Sequence, residues 1–480
     1  MAKSSRIARG LFLLLCVLAL RVPSLAQFEA RGQFLAQSGS GPVSVAVGDF
    51  NHDGILDLAV VSDCCAGTGV AILMGRGDGT FDPAVVYAAG DQPFSVVAAD
   101  FNHDGNLDLA VANSLSPYLT ILLGNGDGTF RYGPQSPKTP AYENYVTVGD
   151  FNNDGTPDLL ALSLSNPCKC ISVLIGNGDG TFQEAINTET SFGVQTLGVG
   201  DFNGDGKLDL ATAGTVGASS AVNILLGNGD GSFSYGASYP GTEVEPQAIA
   251  VADFNHDNRL DFAVAALFGG ITVFLGNGDG TFRPEPEYRV TAPGWVAAAD
   301  LTGDGNVDLV VANNESTLGN AGVTVLMGEG DGTFHSAKYY PCANETYYVA
   351  AGDFNGDRKP DLVVANYGGD NVSILFNTGA VAFSPTMPLN FKKQAVGTKS
   401  NPQAVTLTNT GTTALRIASM KASSEFGVAS TCGARVAPGA VCTISATFSP
   451  TKQGAAQGTI TIIDSASTKP QVIELLGTGT

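Results

Sequence analysis

Oxygen-bearing side chains recur at every second residue in DFNHDGNLDLAVAN (100–113): Asp100, Asn102 and Asp104, with Asp108 after a gap. In a tight loop alternate side chains point inward, so positions 1, 3 and 5 present oxygens to one point. Gly at position 6 supplies the left-handed backbone of the turn, position 7 offers its carbonyl, and Asp at position 9 closes the cage. About six protein oxygens with room for water suit Ca2+, whereas Mg2+ sheds water reluctantly and fits less well. No sulfur or imidazole stands where zinc or copper would need it. An EF-hand loop begins in the same way, but here an apolar, strand-like run follows instead of a helix. The same side chains would also build Asx-turns with no metal. Recurrence argues for the cation.

The motif begins at Asp49, Asp100, Asp150, Asp201, Asp253, Asp300 and Asp353, at spacings of 47 to 53 residues. A second motif keeps step with it: GRGDGTF (75–81), GNGDGTF (124–130, 176–182, 276–282), GNGDGSF (227–233) and GEGDGTF (328–334), decaying to FNTGAVAF (376–383). Each unit reads as four short strands. In the first they are PVSVAVGDF (42–50), LDLAVVS (56–62), GVAILMG (69–75) and FDPAVVYAA (81–89). Small residues fill every first strand, as crowding near an axis requires, and strands apolar on both faces fit sheets sandwiched between sheets. Seven such units predict an all-β, seven-bladed β-propeller. GQFLAQSGSGP (32–42) mimics the last strand of a unit, so the N-terminal strand is expected to complete the seventh blade.

These two motifs, in fixed phase over roughly residues 28–385, resemble the FG-GAP/VCBS repeats, the family that includes the integrin alpha-subunit propeller. The resemblance implies up to seven structural Ca2+ ions. The first ligand set is Asp49, Asn51, Asp53, Ile55 through its carbonyl, and Asp57. The second is Asp100, Asn102, Asp104, Asn106 and Asp108; the third is Asp150, Asn152, Asp154, Thr156 and Asp158. The fourth is Asp201, Asn203, Asp205, Lys207 and Asp209, and the fifth is Asp253, Asn255, Asp257, Arg259 and Asp261. The sixth is Asp300, Thr302, Asp304, Asn306 and Asp308; the seventh is Asp353, Asn355, Asp357, Lys359 and Asp361. Three loops depart from the pattern. Asn258 replaces Gly in the fifth, Thr302 replaces Asn in the sixth, and Arg358 replaces Gly in the seventh. Sites one to four are expected to bind best and site seven worst.

Residues 1–26 read as a secretory signal peptide: Lys3, Arg6 and Arg9, then LFLLLCVLAL, then SLA before Gln27, with cleavage expected near Ala26. The expected location is therefore secreted, extracellular or at the cell surface, with no membrane insertion. Cleavage leaves 20 basic and 45 acidic residues, a formal charge of −25, and seven cysteines. Such a charge repels nucleic acid, and seven bound Ca2+ would offset 14 of those charges. An odd cysteine count leaves one thiol unpaired; Cys64, Cys65, Cys168, Cys170 and Cys342 read as structural or local disulfide partners.

Other features invite function and are read as structure. Arg76-Gly77-Asp78 falls in a hairpin where other units carry Asn or Glu for Arg. His52, His103 and His256 share position 4 of their loops, an outward slot, and no catalytic constellation is visible. Asn314, Asn344 and Asn371 match glycosylation acceptors.

Beyond residue 385 the acidic loops stop. Residues 386–480 alternate strands with Gly/Thr/Ser turns and predict an Ig-like β-sandwich, against residues 27–385 for the propeller. TLTNTGTTAL, CGARVAPGAVCTISATFSP and the closing LLGTGT resemble choice-of-anchor D/ASH-type domains, and Cys432 and Cys442 are expected to form a disulfide. The expected function is a monomeric Ca2+-binding adhesion module for an extracellular glycan or protein. Alternatives are a polysaccharide lyase or hydrolase, or a structural matrix component. Divergent loops opposite the metal face, with Tyr118, Phe268 and Tyr367, are the expected contact surface.

Overall fold

The computed structural model describes residues 28–35, 41–63, 69–140, 144–162, 170–190, 193–216, 219–240, 245–314, 321–342, 345–357, 359–377, 381–384, 389–409, 414–437, 439–464 and 471–480. The signal-peptide segment, Cys64, Cys65, Cys168, Asn344 and Arg358 lie outside them. Among the described residues, regular structure is β-strand apart from one 3-10 turn at Tyr367–Gly369.

Seven four-stranded antiparallel sheets follow one another. The first takes Pro42–Gly48, Asp57–Ser62, Gly69–Leu73 and Val85–Ala88 in order, and the same order repeats over 93–132, 145–189, 193–240, 246–284 and 293–341. The seventh is made of Thr346–Gly352, Asp361–Asn366 and Asn371–Asn377, and its fourth strand is Phe28–Leu35. That N-terminal strand runs antiparallel to Asn371–Asn377, from Phe28 opposite Asn377 to Leu35 opposite Asn371. The expected completion of the seventh unit from the N-terminus is therefore observed. Where the other units turn into a fourth strand, the chain leaves the sheet, and Val381–Ser384 pairs instead with Gln403–Asn409.

Second strands are apolar on both faces because each face meets a different sheet. Leu58 and Val60 pack with Val363, Ala365 and Ile374 of the seventh sheet. Their alternates Ala59 and Val61 pack with Val111 and Leu122 of the second. Every consecutive pair of sheets shares such a cluster, and so do the first and seventh. Small first-strand residues have a contact reason as well. A Cβ on Gly48 would stand 2.6 Å from Leu107 Cδ1 of the next sheet, and one on Gly352 would stand 2.8 Å from Leu56 Cδ1 of the first.

Several first strands carry large side chains near their start, ahead of the small residues. Trp295 of sheet six lies over Tyr348 of sheet seven, with ring centroids 4.4 Å apart, and meets Tyr145 of sheet three at 6.4 Å. Sheets three and six are not consecutive, yet their first strands touch. The only tryptophan is therefore a partly buried packing residue between sheets.

The C-terminal unit has two sheets. One orders Val381–Ser384, Gln403–Asn409, Val441–Phe448 and Phe426–Ser430; the other orders Leu389–Gln394, Gln471–Gly479, Gly454–Asp464, Leu415–Ala422 and Arg435–Val436. Alternate residues of Val441–Phe448 are buried. They share one core with Val405, Leu407, Ile460, Ile462, Ile473 and Leu475, and Cys432 is bonded to Cys442.

Candidate metal centre

Each acidic loop joins the first strand of a sheet to the second. In the first loop, Asp49 Oδ1 and Asn51 Oδ1 both accept the Asp53 N–H, at 3.1 and 3.0 Å. Asp49 Oδ2 accepts the Gly54 N–H at 2.8 Å, and Asp53 Oδ1 accepts the Ile55 N–H at 2.8 Å. Oxygens of positions 1 and 3 thus meet at a single amide, and the same pair of bonds recurs in loops two, three, four, five and seven.

Asp57, at position 9, is fully buried. Its Oδ2 accepts the Phe50 N–H at 2.9 Å and its Oδ1 the N–H of Gly75, the residue opening the hairpin between strands three and four, at 2.7 Å. Burial pushes its carboxyl up to about 6, against the lowering effect of those two N–H groups, with Asp53 and Asp49 adding repulsion. Asp108, Asp158 and Asp261 are likewise raised to about 6 and Asp308 and Asp361 to about 7, burial being the largest cause in each, and Asp209 shifts the same way.

Position 4 carries a positive φ in every loop: His52, His103, Asn153, Gly204, His256, Gly303 and Gly356. The three histidines are exposed, as the outward slot read from the sequence requires. Where this position carries a side chain, the left-handed turn lets it reach along the surface to the next loop. His52 Nε2 lies 2.9 Å from Asn106 Oδ1, His256 Nε2 lies 3.0 Å from Asn306 Oδ1, and Asn153 Nδ2 donates to the Gly206 carbonyl at 2.8 Å. Asn258 at position 6 adopts φ 62° and donates its N–H to Asp253 Oδ2, as the glycines do in their loops. Thr302 does not reproduce Asn: its hydroxyl donates to Asp300 Oδ1 at 3.4 Å. Lys207 Nζ reaches Asp205 Oδ2 at 3.7 Å and Arg259 reaches Asp257 Oδ2 at 4.0 Å, so loops four and five carry a tethered cation beside position 5.

This donor set, three carboxylates with an amide or hydroxyl, fits a hard, oxygen-seeking cation. Among the described residues, no three His, Cys, Asp or Glu side chains are drawn around one point as in a formed metal cage. The loop oxygens face their own backbone amides instead, and a cation would take the outer lone pairs of positions 1, 3 and 5.

The remaining sequence candidates separate by burial and bonding. Tyr118 and Phe268 are exposed, whereas Tyr367 packs on Tyr347 at 6.0 Å. Arg76 is held by Asp82, and Asp78 accepts the N–H and hydroxyl of Thr80, so the Arg-Gly-Asp segment is a closed turn. Asn371 is buried and bonded to Asn366 and Gly369, which closes it to glycosylation. Cys170 is disulfide-bonded. Cys342 is a free thiol that burial pushes up to about 12, which makes it a poor nucleophile.

Sequence reasoning missed how loops and hairpins connect sheet to sheet. The third hairpin Gly of one sheet donates its N–H to the position-2 carbonyl of the preceding sheet's loop: Gly128 to Phe50, Gly180 to Phe101, Gly231 to Phe151, Gly280 to Phe202 and Gly332 to Phe254, at 3.0–3.1 Å. Gly79 of the first sheet donates in the same way to Phe354 of the seventh at 3.0 Å. The only sequence signal for this was the constant phase of the two motifs.

Successive four-stranded units, each opening on an acidic loop and sharing a core with its neighbours, define an all-β repeat protein. Comparison with protein families refines that class. The FG-GAP-like repeat matches residues 61–111, 100–161, 162–212, 201–264, 253–311 and 300–364, and the FG-GAP repeat matches 347–383. The chain belongs to the FG-GAP-repeat family. Residues 380–472 match the ASH domain, described as abnormal spindle-like microcephaly-associated, ASPM-SPD-2-Hydin. Cartilage acidic protein 1 of Homo sapiens is 29% identical over 168 residues, covering 32% of this chain and 25% of that protein. Its Mus musculus counterpart is 28% identical over 168 residues (32% and 26%), and that of Xenopus tropicalis 27% over 154 residues (29% and 24%). The similarity spans about a quarter of each relative's length.

Proposed function

We propose that this chain is a secreted or cell-surface, monomeric, calcium-binding propeller that acts as an adhesion module for an extracellular glycan or protein. Closure of seven sheets into a ring is supported by the cluster shared between the first and seventh sheets, by the N-terminal strand in the seventh, and by the Tyr145–Trp295 contact. Calcium binding rests on one observation above the others. Six of the seven loops converge their position-1 and position-3 oxygens on a single amide, next to a third and a fourth oxygen-bearing side chain.

In the first loop Asp49, Asn51, Asp53, the Ile55 carbonyl and Asp57 would hold the ion. A bound Ca2+ supplies positive charge that quenches repulsion among the three carboxylates. Asp57 meanwhile ties the first strand to the hairpin of its own sheet through Phe50 and Gly75. Export rests on residues 1–26, and the name of the relative, cartilage acidic protein 1, accords with the acidity of this chain, whose formal charge is −21. The surface left to a partner is the end of the ring opposite the loops, where Tyr118 and Phe268 are exposed.

Two measurements test this. Metal analysis after dialysis against Ca2+ is expected to give several ions per chain, and chelation is expected to lower the melting temperature; no bound ion together with an unchanged melt overturns the calcium reading. A glycan and protein-partner screen of the Ca2+-loaded protein is expected to find a ligand, whereas reducing-end release from a polysaccharide would replace adhesion with catalysis.

A further inference from the structure

The loop and hairpin bonds join into a single closed circuit. Start at Asp57: its Oδ2 holds the Phe50 N–H, and the Phe50 carbonyl accepts from Gly128 in the hairpin of sheet two. That hairpin begins at Gly124, whose N–H is held by Asp108 Oδ1, and Asp108 Oδ2 holds the Phe101 N–H. The step repeats through Asp158, Asp209, Asp261 and Asp308, each carboxylate bridging a position-2 amide at 2.8–3.0 Å and a hairpin amide at 2.7–2.9 Å.

Among the described residues sheet seven has no such hairpin, because its fourth strand comes from the N-terminus and Val381–Ser384 pairs in the C-terminal unit. One residue replaces it. Asn377 donates its backbone N–H to Asp361 Oδ1 at 2.8 Å, and its side-chain Nδ2 to the Leu301 carbonyl of loop six at 2.6 Å and to the Pro360 carbonyl at 3.2 Å. It is buried, and it also pairs with Phe28 of the N-terminal strand. Asp361 holds the Phe354 N–H, the Phe354 carbonyl accepts from Gly79, and Asp57 holds Gly75 in that same hairpin. The circuit is complete.

We infer that this circuit locks the first sheet to the seventh and makes the seven loops respond to a cation as one unit, with Asn377 as the positioning residue at the step from sheet six to sheet seven, which a side chain makes in place of a backbone N–H. The coupling is mechanical. An ion that fixes one loop fixes its position-2 carbonyl, which orders the next sheet's hairpin, which in turn holds the position-9 carboxylate of the next loop, so the second site forms with less left to order. The coupling part of the inference rests on the calcium reading above; the lock does not.

The test is hydrogen–deuterium exchange, with and without Ca2+, on the full secreted chain and on its Asn377→Gly variant, together with Ca2+ titration by calorimetry. The variant restores the residue that opens the other hairpins, keeps the N–H bonded to Asp361, and removes the side-chain amide. In the wild type, Ca2+ is expected to protect the hairpin amides of sheets one to six and the Asn377 amide of sheet seven over one narrow concentration range, with a binding curve steeper than independent sites give. In the variant, exchange is expected to quicken about tenfold or more at loop six and in Phe28–Leu35, even in chelator, and the binding curve to flatten. Unchanged exchange in the variant overturns the lock. Seven non-interacting sites overturn the coupling while leaving calcium binding intact, and no binding at all overturns the calcium reading first. Should Asn377→Gly fail to fold, Asp104→Ala in loop two decides the coupling: faster exchange at Gly128 and Gly180 on either side supports it, and a change confined to loop two overturns it.

Discussion

Asp158 shows what a single carboxylate does in this molecule. It is fully buried, and each of its oxygens takes one backbone N–H, from Phe151 at 2.8 Å and from Gly176 at 2.8 Å. Replacing it with Ala strands both amides, at a cost of about 2–5 kcal/mol that chemical denaturation in chelator will read. Asp154→Ala, at an exposed position of the same loop, is expected to cost far less in chelator and to matter more when Ca2+ is present. The buried carboxylates also set the pH response of the metal-free chain. Their folded values of about 6 to 7 lie above the ordinary 3.8, so the folded state holds more protons and loses stability as pH rises through that range. In chelator the melting temperature is therefore expected to fall between about pH 5 and about pH 8. Saturating Ca2+ is expected to reverse the slope, because protons then compete with the ion; a chelated protein that gains stability with pH contradicts this account.

At the level of elements, strand positions were legible because composition and punctuation agreed. PVSVAVGDF was read as a strand over 42–50 and is one over Pro42–Gly48, and LDLAVVS over 56–62 is Asp57–Ser62. Outer strands were less legible: FDPAVVYAA (81–89) forms a strand only at Val85–Ala88, and the fourth strand of sheet two is Phe130–Tyr132. An outer strand pairs on one side alone, so few contacts fix its ends. The N-terminal strand is different, since among the described residues it alone pairs with the outer edge of Asn371–Asn377. Deleting residues 28–35 is expected to expose that edge, lower the melting temperature and bring on self-association, read by thermal shift and size-exclusion chromatography. In the C-terminal unit, Cys442→Ser breaks the bond to Cys432 and is expected to cost that unit about 2–3 kcal/mol, from the loop entropy returned to its unfolded chain. The melting transition of the seven sheets should not move.

The whole molecule is strongly acidic, with 45 Asp and Glu against 24 Lys and Arg, and 21 of the acids are the aspartates of the seven loops. Concentrating so much like charge at one end of a sheet array is unfavourable without counter-ions, so added Ca2+ is expected to raise the melting temperature more than the same ionic strength of NaCl does; equal effects would reduce the loops to turns. Repeat number, strand order within a unit and the donor types of each loop follow from the sequence alone, because all three depend on residues less than about sixty apart whose spacing recurs. The tertiary structure decided the rest: which faces of a strand meet which sheet, that His52 and His256 reach across to the following loop, and that Asn377 stands in for a missing hairpin. Those contacts join residues far apart in the chain, and no local spacing encodes them, since they exist only once neighbouring sheets have packed and their buried amides must each find an acceptor.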